Sequence, residues 1–386
     1  MGKKNKKIGF WVELSRILVG ATFAFSGFVK AVDPLGFSYK IEDYLIEMGL
    51  TALFPLALPA AIVLVVAELS LGVFLLLGIY RKWTVRMIGL FMLFFTPLTL
   101  WIAIADPVED CGCFGDAFVI SNWQTFYKNV VLLAGAILLI VKWRLVTPLF
   151  AKKLSPVAGL LVVCLGVLFA LHNVYRLPVL DFRPYRVGAN IPRQMVVDPE
   201  KAEVVENILV YDKEGMRKEF TEENYPWSDS TWTFVEMKTK VVKEGEKPAI
   251  EDFAVQELVY DGETGTWNIG DDITEGLLAE PSYSFLMIAY SLEKINPKHL
   301  DRFRVVSAYA AEKGFPFYLL TASSTETVGD WEKQYHTGFQ FCHADERVLK
   351  TIIRSNPGLL LLKEGTVMDK WDYSGVPDRK RMDALR

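Results

Sequence analysis

The segment Cys111-Gly112-Cys113 places two thiols one glycine apart, a spacing that makes a compact dithiol. A disulfide across it closes a small, strained ring, and strain raises the reduction potential. Glycine at the middle position eases the backbone conformation such a ring requires. Glu109, Asp110 and Asp116 crowd the same turn and disfavour a thiolate. A redox-active dithiol, a purely structural turn and a metal site are all open readings of these residues. The metal is the poorest fit, because zinc sites recruit ligands from spaced pairs and the chain has only four histidines. Four cysteines in 386 residues are too few for a disulfide scaffold, so any thiol chemistry is local.

Two charged residues, Arg16 and Glu68, stand inside long apolar runs. The chain is 51% hydrophobic and 23% charged, averages that conceal a split: apolar runs dominate up to about residue 178, and an acidic soluble composition follows. That split excludes a single globular enzyme and a disordered chain. A net charge of −4, with no sizeable basic patch outside the membrane flanks, excludes nucleic acid as the partner. A bilayer core of about 30 Å takes about 20 apolar residues as helix. Residues 8–32, 56–80, 83–105, 126–141 and 156–174 qualify, and Trp11, Trp83, Trp101, Trp123 and Trp143 bracket them as an interfacial belt would. Lys3, Lys4, Lys6, Lys7, Arg81, Lys82, Arg86, Lys142, Arg144, Lys152 and Lys153 all fall on one side of these spans. That side is the cytoplasm, so the N-terminus is cytoplasmic and everything after Tyr175 is periplasmic in a bacterial inner membrane. The dithiol then faces the side where disulfides persist. Arg16 lies on the order of 10 Å from the cytoplasmic end of its span and Glu68 on the order of 16 Å from the end of its own. Two long side chains can bridge that difference, so they are expected to pair, either to fix helix packing or to serve function.

Three stretches resemble a family. Residues 16–34, from Arg16 through Lys30 and Asp33-Pro34, look like the opening of the DoxX/MauE group of small four-helix membrane proteins. Residues 67–78, with Glu68, resemble that group's second helix, and Cys111-Gly-Cys113-Phe-Gly115 is similar to the cysteine loop of its MauE-type branch. The resemblance covers about 8–145 and implies a redox association: quinone-coupled sulfur oxidation for DoxX relatives, disulfide formation in a periplasmic partner for MauE. The fifth span and the large extension depart from the minimal pattern.

Beyond the membrane, residues 179–248 read as a β-rich layer. Strands at 208–211 and 217–220 flank the turn Lys213-Glu-Gly215, and 231–239 is expected to pair with 253–259. From 249 to 386 strands and helices alternate and end in a hairpin, which predicts an α/β sheet with helices on both faces. This order resembles the thioredoxin-like fold of TlpA-type and peroxiredoxin-type proteins, with Pro357 at the position of that fold's cis-proline. One departure matters. Where such domains carry Cys-x-x-Cys, this chain has Ser291-Leu-Glu-Lys-Ile-Asn296. Cys342 ends a strand and should share a face with Ser291 and Pro357, so with neighbouring His343 it is either a substitute thiol site or a buried structural cysteine. Cys164, inside the fifth span, is a packing residue.

The resulting expectation is a five-span membrane bundle (1–178) followed by a β-rich segment and a thioredoxin-like domain lacking its dithiol. Its leading function is thiol–disulfide exchange between Cys111/Cys113 and a periplasmic protein client. Quinone is the expected membrane carrier, although no motif marks a quinone site. The competing class is a non-enzymatic, membrane-anchored binding or assembly factor that holds a peptide beside Pro357. The compartments are directly testable. A periplasm-active reporter fused after Arg386 should be active and one fused after Lys153 silent; the reverse pattern overturns every compartment assignment above.

Overall fold

The computed structural model describes residues 3–106, 112–118, 120–151, 153–198, 200–201, 204–213, 215–221, 224–227, 229–243, 245 and 247–384. Helices α1 (Lys3–Val32), α2 (Pro34–Glu47), α3 (Ala57–Leu77), α4 (Arg81–Ala105), α5 (Asn122–Val141) and α6 (Ser155–Tyr175) build the N-terminal half. Five stretches are long and apolar enough to cross a membrane: Lys7–Val32, Thr51–Leu77, Arg81–Ala105, Asn122–Val141 and Ser155–Tyr175. These match the spans expected from composition. Helix α2 was not expected from composition, and its start has a local cause. Asp33 accepts a hydrogen bond from the Gly36 N–H at 2.9 Å, and Pro34 follows, where a missing N–H costs nothing.

The crossing of α1 and α3 depends on two glycines. A Cβ on Gly27 would overlap the backbone of Leu69, and one on Gly72 would overlap the backbone of Ala24. Small residues let the two helices touch main chain to main chain, which is how helices gain packing in lipid. This contact sets the register in which side chains of α1 meet those of α3.

The C-terminal half holds two sheets. Strands β1 (Val204–Lys213), β2 (Met216–Thr221) and β3 (Thr233–Lys243) make an antiparallel sheet in the order β2-β1-β3. Strands β4 (Gln256–Asp261), β5 (Thr266–Asp272), β6 (Tyr283–Ile288), β7 (Phe317–Thr321), β8 (Gln340–His343), β9 (Gly358–Lys363) and β10 (Thr366–Asp372) form a seven-stranded sheet, ordered β10-β9-β6-β7-β8-β4-β5. Within it β6, β7 and β8 run parallel, while the flanking pairings are antiparallel. The expected pairing of 231–239 with 253–259 is corrected. β3 pairs with β1, and the chain ahead of β4 instead buries Ile250, Phe253 and Val255 beneath the large sheet.

Helices α7 (Ile191–Gln194), α8 (Thr274–Ala279), α9 (Leu300–Lys313), α10 (Thr325–Tyr335), α11 (Glu346–Ile352) and α12 (Arg379–Asp383) accompany the sheet. Alternation along the central strands divides the core into two. Phe285, Met287, Leu319 and Phe341 face Phe303 and Val306 of α9 and Val328 and Trp331 of α10. Leu286, Ile288, Leu320 and Cys342 face Leu349 and Ile352 of α11. Strands covered on both faces are apolar at successive positions, which is why they read as continuous hydrophobic runs in the sequence.

The segment leaving α6 is fastened to this sheet. Asp181 receives Arg183 at 2.7 Å and Lys370 of β10 at 3.0 Å, and Lys370 also donates to the Ile352 carbonyl at 2.6 Å. Burial, helped by the nearby Arg183 charge, pushes the Lys370 ammonium down to about 7 despite Asp181. The unfolded chain keeps the ordinary lysine value near 10.5, so between those two values the unfolded state binds the extra proton and stability rises with pH. The melting temperature of the full chain in detergent, taken relative to Lys370→Met, should therefore climb from about pH 7 to pH 9. A difference that stays flat across that interval contradicts the assignment.

Candidate functional site

Cys111 lies outside the described residues. Its neighbours form a turn in which Gly112 and Gly115 have φ of +63° and +50°, backbone that only glycine adopts freely. Cys113 is half-buried, and its carbonyl accepts a 2.7 Å hydrogen bond from the Ser26 hydroxyl on α1. One helical turn further along α1, the Lys30 ammonium donates to Ser26 Oγ at 3.2 Å and to Glu68 Oε2 of α3 at 2.8 Å. Phe114 packs on Phe25 at 5.6 Å between ring centroids, and the Lys128 ammonium of α5 stands 4.3 Å above its ring. The cysteine turn is thus clamped onto the end of α1 by a chain of polar contacts rooted at Glu68.

The expected Arg16–Glu68 pair does not form. Arg16 donates to the Leu75 carbonyl at 3.1 Å and to the Leu76 carbonyl, and reaches Thr147 Oγ1 and Glu13 at 3.0 Å each. It adds a side-chain donor at the C-terminal end of α3, where the Leu75 carbonyl also accepts from the Gly78 N–H at 3.2 Å. The reason is register: the Gly27–Leu69 contact places Glu68 beside residues 26–30, and fourteen residues of helix, about 21 Å, separate Arg16 from Lys30. Lys30 stood in the apolar run of span one, four residues after Ser26; that i, i+4 spacing was the signal for its role.

Above the turn sits the α/β half. Arg354, at the end of α11, makes a two-nitrogen contact with Asp33 (2.8 to 3.0 Å) and lies 4.0 Å from Asp116. Gly36 makes room, since a Cβ there would overlap both Asp33 and Arg354. Burial alone would raise the Asp33 carboxyl, but the Arg354 guanidinium more than offsets it and holds Asp33 below the usual carboxylate range. Arg347 pairs with Asp43 at 3.6 Å. Tyr39 of α2 lies beneath the Lys350 ammonium (4.5 Å) and the Arg354 guanidinium (5.3 Å), and burial together with neighbouring Tyr290 pushes its hydroxyl up. Between these elements lies a cavity of about 590 Å³. Gly112, Gly115 and Asp116 wall it on one side, Lys350 and Arg354 on the other, and Lys30 also reaches it.

Pro357 follows a cis peptide bond from Asn356 and is buried. The Asn356 side chain donates to the Ser291 carbonyl at 2.8 Å and accepts from the Ser291 N–H at 3.3 Å, so Ser291 and Pro357 do share one end of the sheet. Cys342 lies apart from them in the core. It is fully buried among Leu320, Ile352 and their neighbours, and burial pushes its thiol up to about 12. Of the two readings open for Cys342, this burial favours the structural one: the side chain of residue 342 falls on the inward face of β8, which α11 covers. Among the described residues no group of three or more His, Cys, Asp or Glu is placed to hold a metal ion.

Residues 8–142 match the family model described as "Methylamine utilisation protein MauE", and residues 205–244 match "Domain of unknown function (DUF8463)". No curated protein and no solved structure matches the chain. Helices α1 to α5 are therefore a MauE-family membrane domain, on the segment whose three motifs carried the resemblance, and the second match coincides with the three-stranded sheet.

The ion pair between the halves makes a clear prediction. Arg354→Gln leaves Asp33 buried without its partner, which should destabilise the docked arrangement by about 3–5 kcal/mol. Limited proteolysis between residues 176 and 183 should accelerate, and Asp33→Asn added to Arg354→Gln should recover part of the loss. Equal protection in wild type and Arg354→Gln contradicts a docking role.

Proposed function

We propose that this protein is a thiol–disulfide redox protein of the bacterial inner membrane. Its N-terminus lies in the cytoplasm, and the Cys111/Cys113 turn and the C-terminal half lie in the periplasm. The observation that carries the proposal is the place of the cysteine turn: Gly112, Gly115 and Asp116 line a cavity that the α/β half closes from above, beside Arg354. The MauE description of the membrane domain supports a redox association, and the lysine and arginine distribution supports the orientation.

The exchange balances within the dithiol. A partner thiolate attacks one sulfur of the Cys111–Cys113 disulfide, forming a mixed disulfide and releasing the other cysteine as thiolate. The partner's second thiolate then attacks the mixed disulfide, so the partner leaves oxidised and the turn keeps two electrons and two protons as a dithiol. A lipid-soluble acceptor of the quinone class would restore the disulfide. No described constellation marks a site for it, and no step here depends on one.

The α/β half reads as a thioredoxin-like domain. In support, β6, β7 and β8 are parallel, β9 and β10 form a closing hairpin, and Pro357 directly precedes β9. Its usual dithiol position holds Ser291 to Lys294, so its contribution is to cover and orient. In further support, α2 packs against this half, Tyr39 beneath Lys350 and Asp33 on Arg354, next to the cysteine turn. The competing reading, a membrane-anchored binding or assembly factor, would instead hold a peptide beside Pro357.

Thiol trapping in cells tests the proposal. Cys111 and Cys113 should titrate between dithiol and disulfide as periplasmic redox conditions change, and one of the variants Cys111→Ser and Cys113→Ser should trap a client as a mixed disulfide. Cys342→Ser should leave exchange intact, because its sulfur is buried. Permanently bridged or permanently reduced cysteines, or full exchange in the double serine variant, would refute the redox assignment.

A further inference from the structure

We infer that Lys30, held by Glu68, is a positioning residue that sets the reactivity of Cys113. The inference rests on the redox proposal above and deepens it by assigning the intramembrane charges a role in that chemistry. Three hydrogen bonds link them in sequence: Glu68 Oε2 to Lys30 Nζ at 2.8 Å, Lys30 Nζ to Ser26 Oγ at 3.2 Å, and Ser26 Oγ to the Cys113 carbonyl at 2.7 Å. Lys30 and Glu68 are both largely buried, with side-chain exposures of 10% and 16%. Charges at such depth persist only when paired, and they mark function more often than packing. Glu68 alone would suffice if the aim were to neutralise a buried lysine. The additional contact with Ser26, and through it with the cysteine turn, is what a packing pair does not require.

The electrostatics of the turn give the contact a purpose. Asp116 is the acidic group on the turn itself, and Glu109 and Asp110 precede it in sequence. Arg354, just past the end of α11, is committed to Asp33 and reaches Asp116 at 4.0 Å, and Lys128 of α5 stands over the Phe114 ring. Lys30 is the cation tied to Cys113 itself by hydrogen bonds, and its ammonium also lies 5.1 Å from the Phe37 ring, at the floor of the cavity. A positive charge next to a thiol favours the nucleophilic thiolate, and a fixed backbone carbonyl fixes where that sulfur points. We assign both to Lys30, acting through its contact with Ser26, which holds the Cys113 carbonyl. Glu68 holds Lys30 in place through the 2.8 Å contact.

The decisive measurement is the rate at which iodoacetamide alkylates Cys113 in the full chain in lipid nanodiscs, read by peptide mapping across pH 6 to 10 in a Cys111→Ser background. Lys30→Gln should slow alkylation about tenfold at neutral pH, a change equivalent to one pK unit, and move the whole profile to higher pH. Lys30→Arg should restore the profile, and Glu68→Gln should move it in the same direction as Lys30→Gln. Because single changes leave one buried group unpaired, the paired apolar replacement Lys30→Met with Glu68→Leu provides a folded comparison. It too should shift the profile upward. A profile for that double variant that superimposes on wild type, in protein of unchanged melting temperature, overturns the inference. The redox proposal is judged separately by trapping, so a shifted profile with no client exchange would leave the positioning role standing while the function fell.

Discussion

The buried contact between Asp33 and Arg354 joins residues far apart in the chain and decides how its two halves meet. Asp33 caps α2 through the Gly36 N–H and receives the guanidinium of Arg354 on the same carboxylate. An ion pair this deep stabilises only when both partners are fully satisfied; an orphaned member is a heavy cost. Here the geometry meets that condition, with Gly36 lacking the side chain that would block the approach. Once the pair forms, α2 lies across the end of the large sheet, and the cysteine turn is enclosed between α1 and α11.

Electrostatics extend this contact into a surface. The underside of the α/β half presents Arg347, Lys350 and Arg354, and α2 presents Asp33, Asp43 and the ring of Tyr39. Opposite charges there are partly desolvated, so they are screened less by salt than exposed pairs would be. The linker after α6 adds a second fastening through Asp181, Arg183 and Lys370. Both fastenings act on one end of the helix bundle, the end that carries the cysteine turn.

Within the bundle the parallel constraint is the close crossing of α1 and α3. Gly27 and Gly72 bring two backbones together, and the register that results delivers Lys30 to Glu68 and leaves Arg16 to close the end of α3. Lys30, Glu68 and the turn carrying Cys113 are thereby joined by hydrogen bonds at one end of the bundle. The α/β half meets it there with the buried guanidinium of Arg354, while its own cysteine, Cys342, lies in the core of the large sheet.

Much of this was legible in the residues alone. The five spans followed from runs of apolar residues, because lipid demands about 20 of them in a row whatever the neighbours do. The two-faced α/β sheet followed from strands apolar at successive positions, and the cysteine turn from its spacing. Pairings were not legible. Arg16 and Glu68 lie at compatible depths, yet depth is one coordinate, and the rotation and register of α1 against α3 depend on where two glycines allow backbones to touch. The β3 strand chose β1 over the segment before β4 because that segment was needed to cover a core. Cys342 ends a strand as expected, but the face its side chain falls on, and the helix covering that face, remove it from chemistry. The Asp33–Arg354 pair and the cavity between the halves exist only once distant segments dock, whereas α2 starts on its own local cap, Asp33 followed by Pro34. Local periodicity and the bilayer's length scale are written into the chain; which charge meets which is decided by close packing in three dimensions.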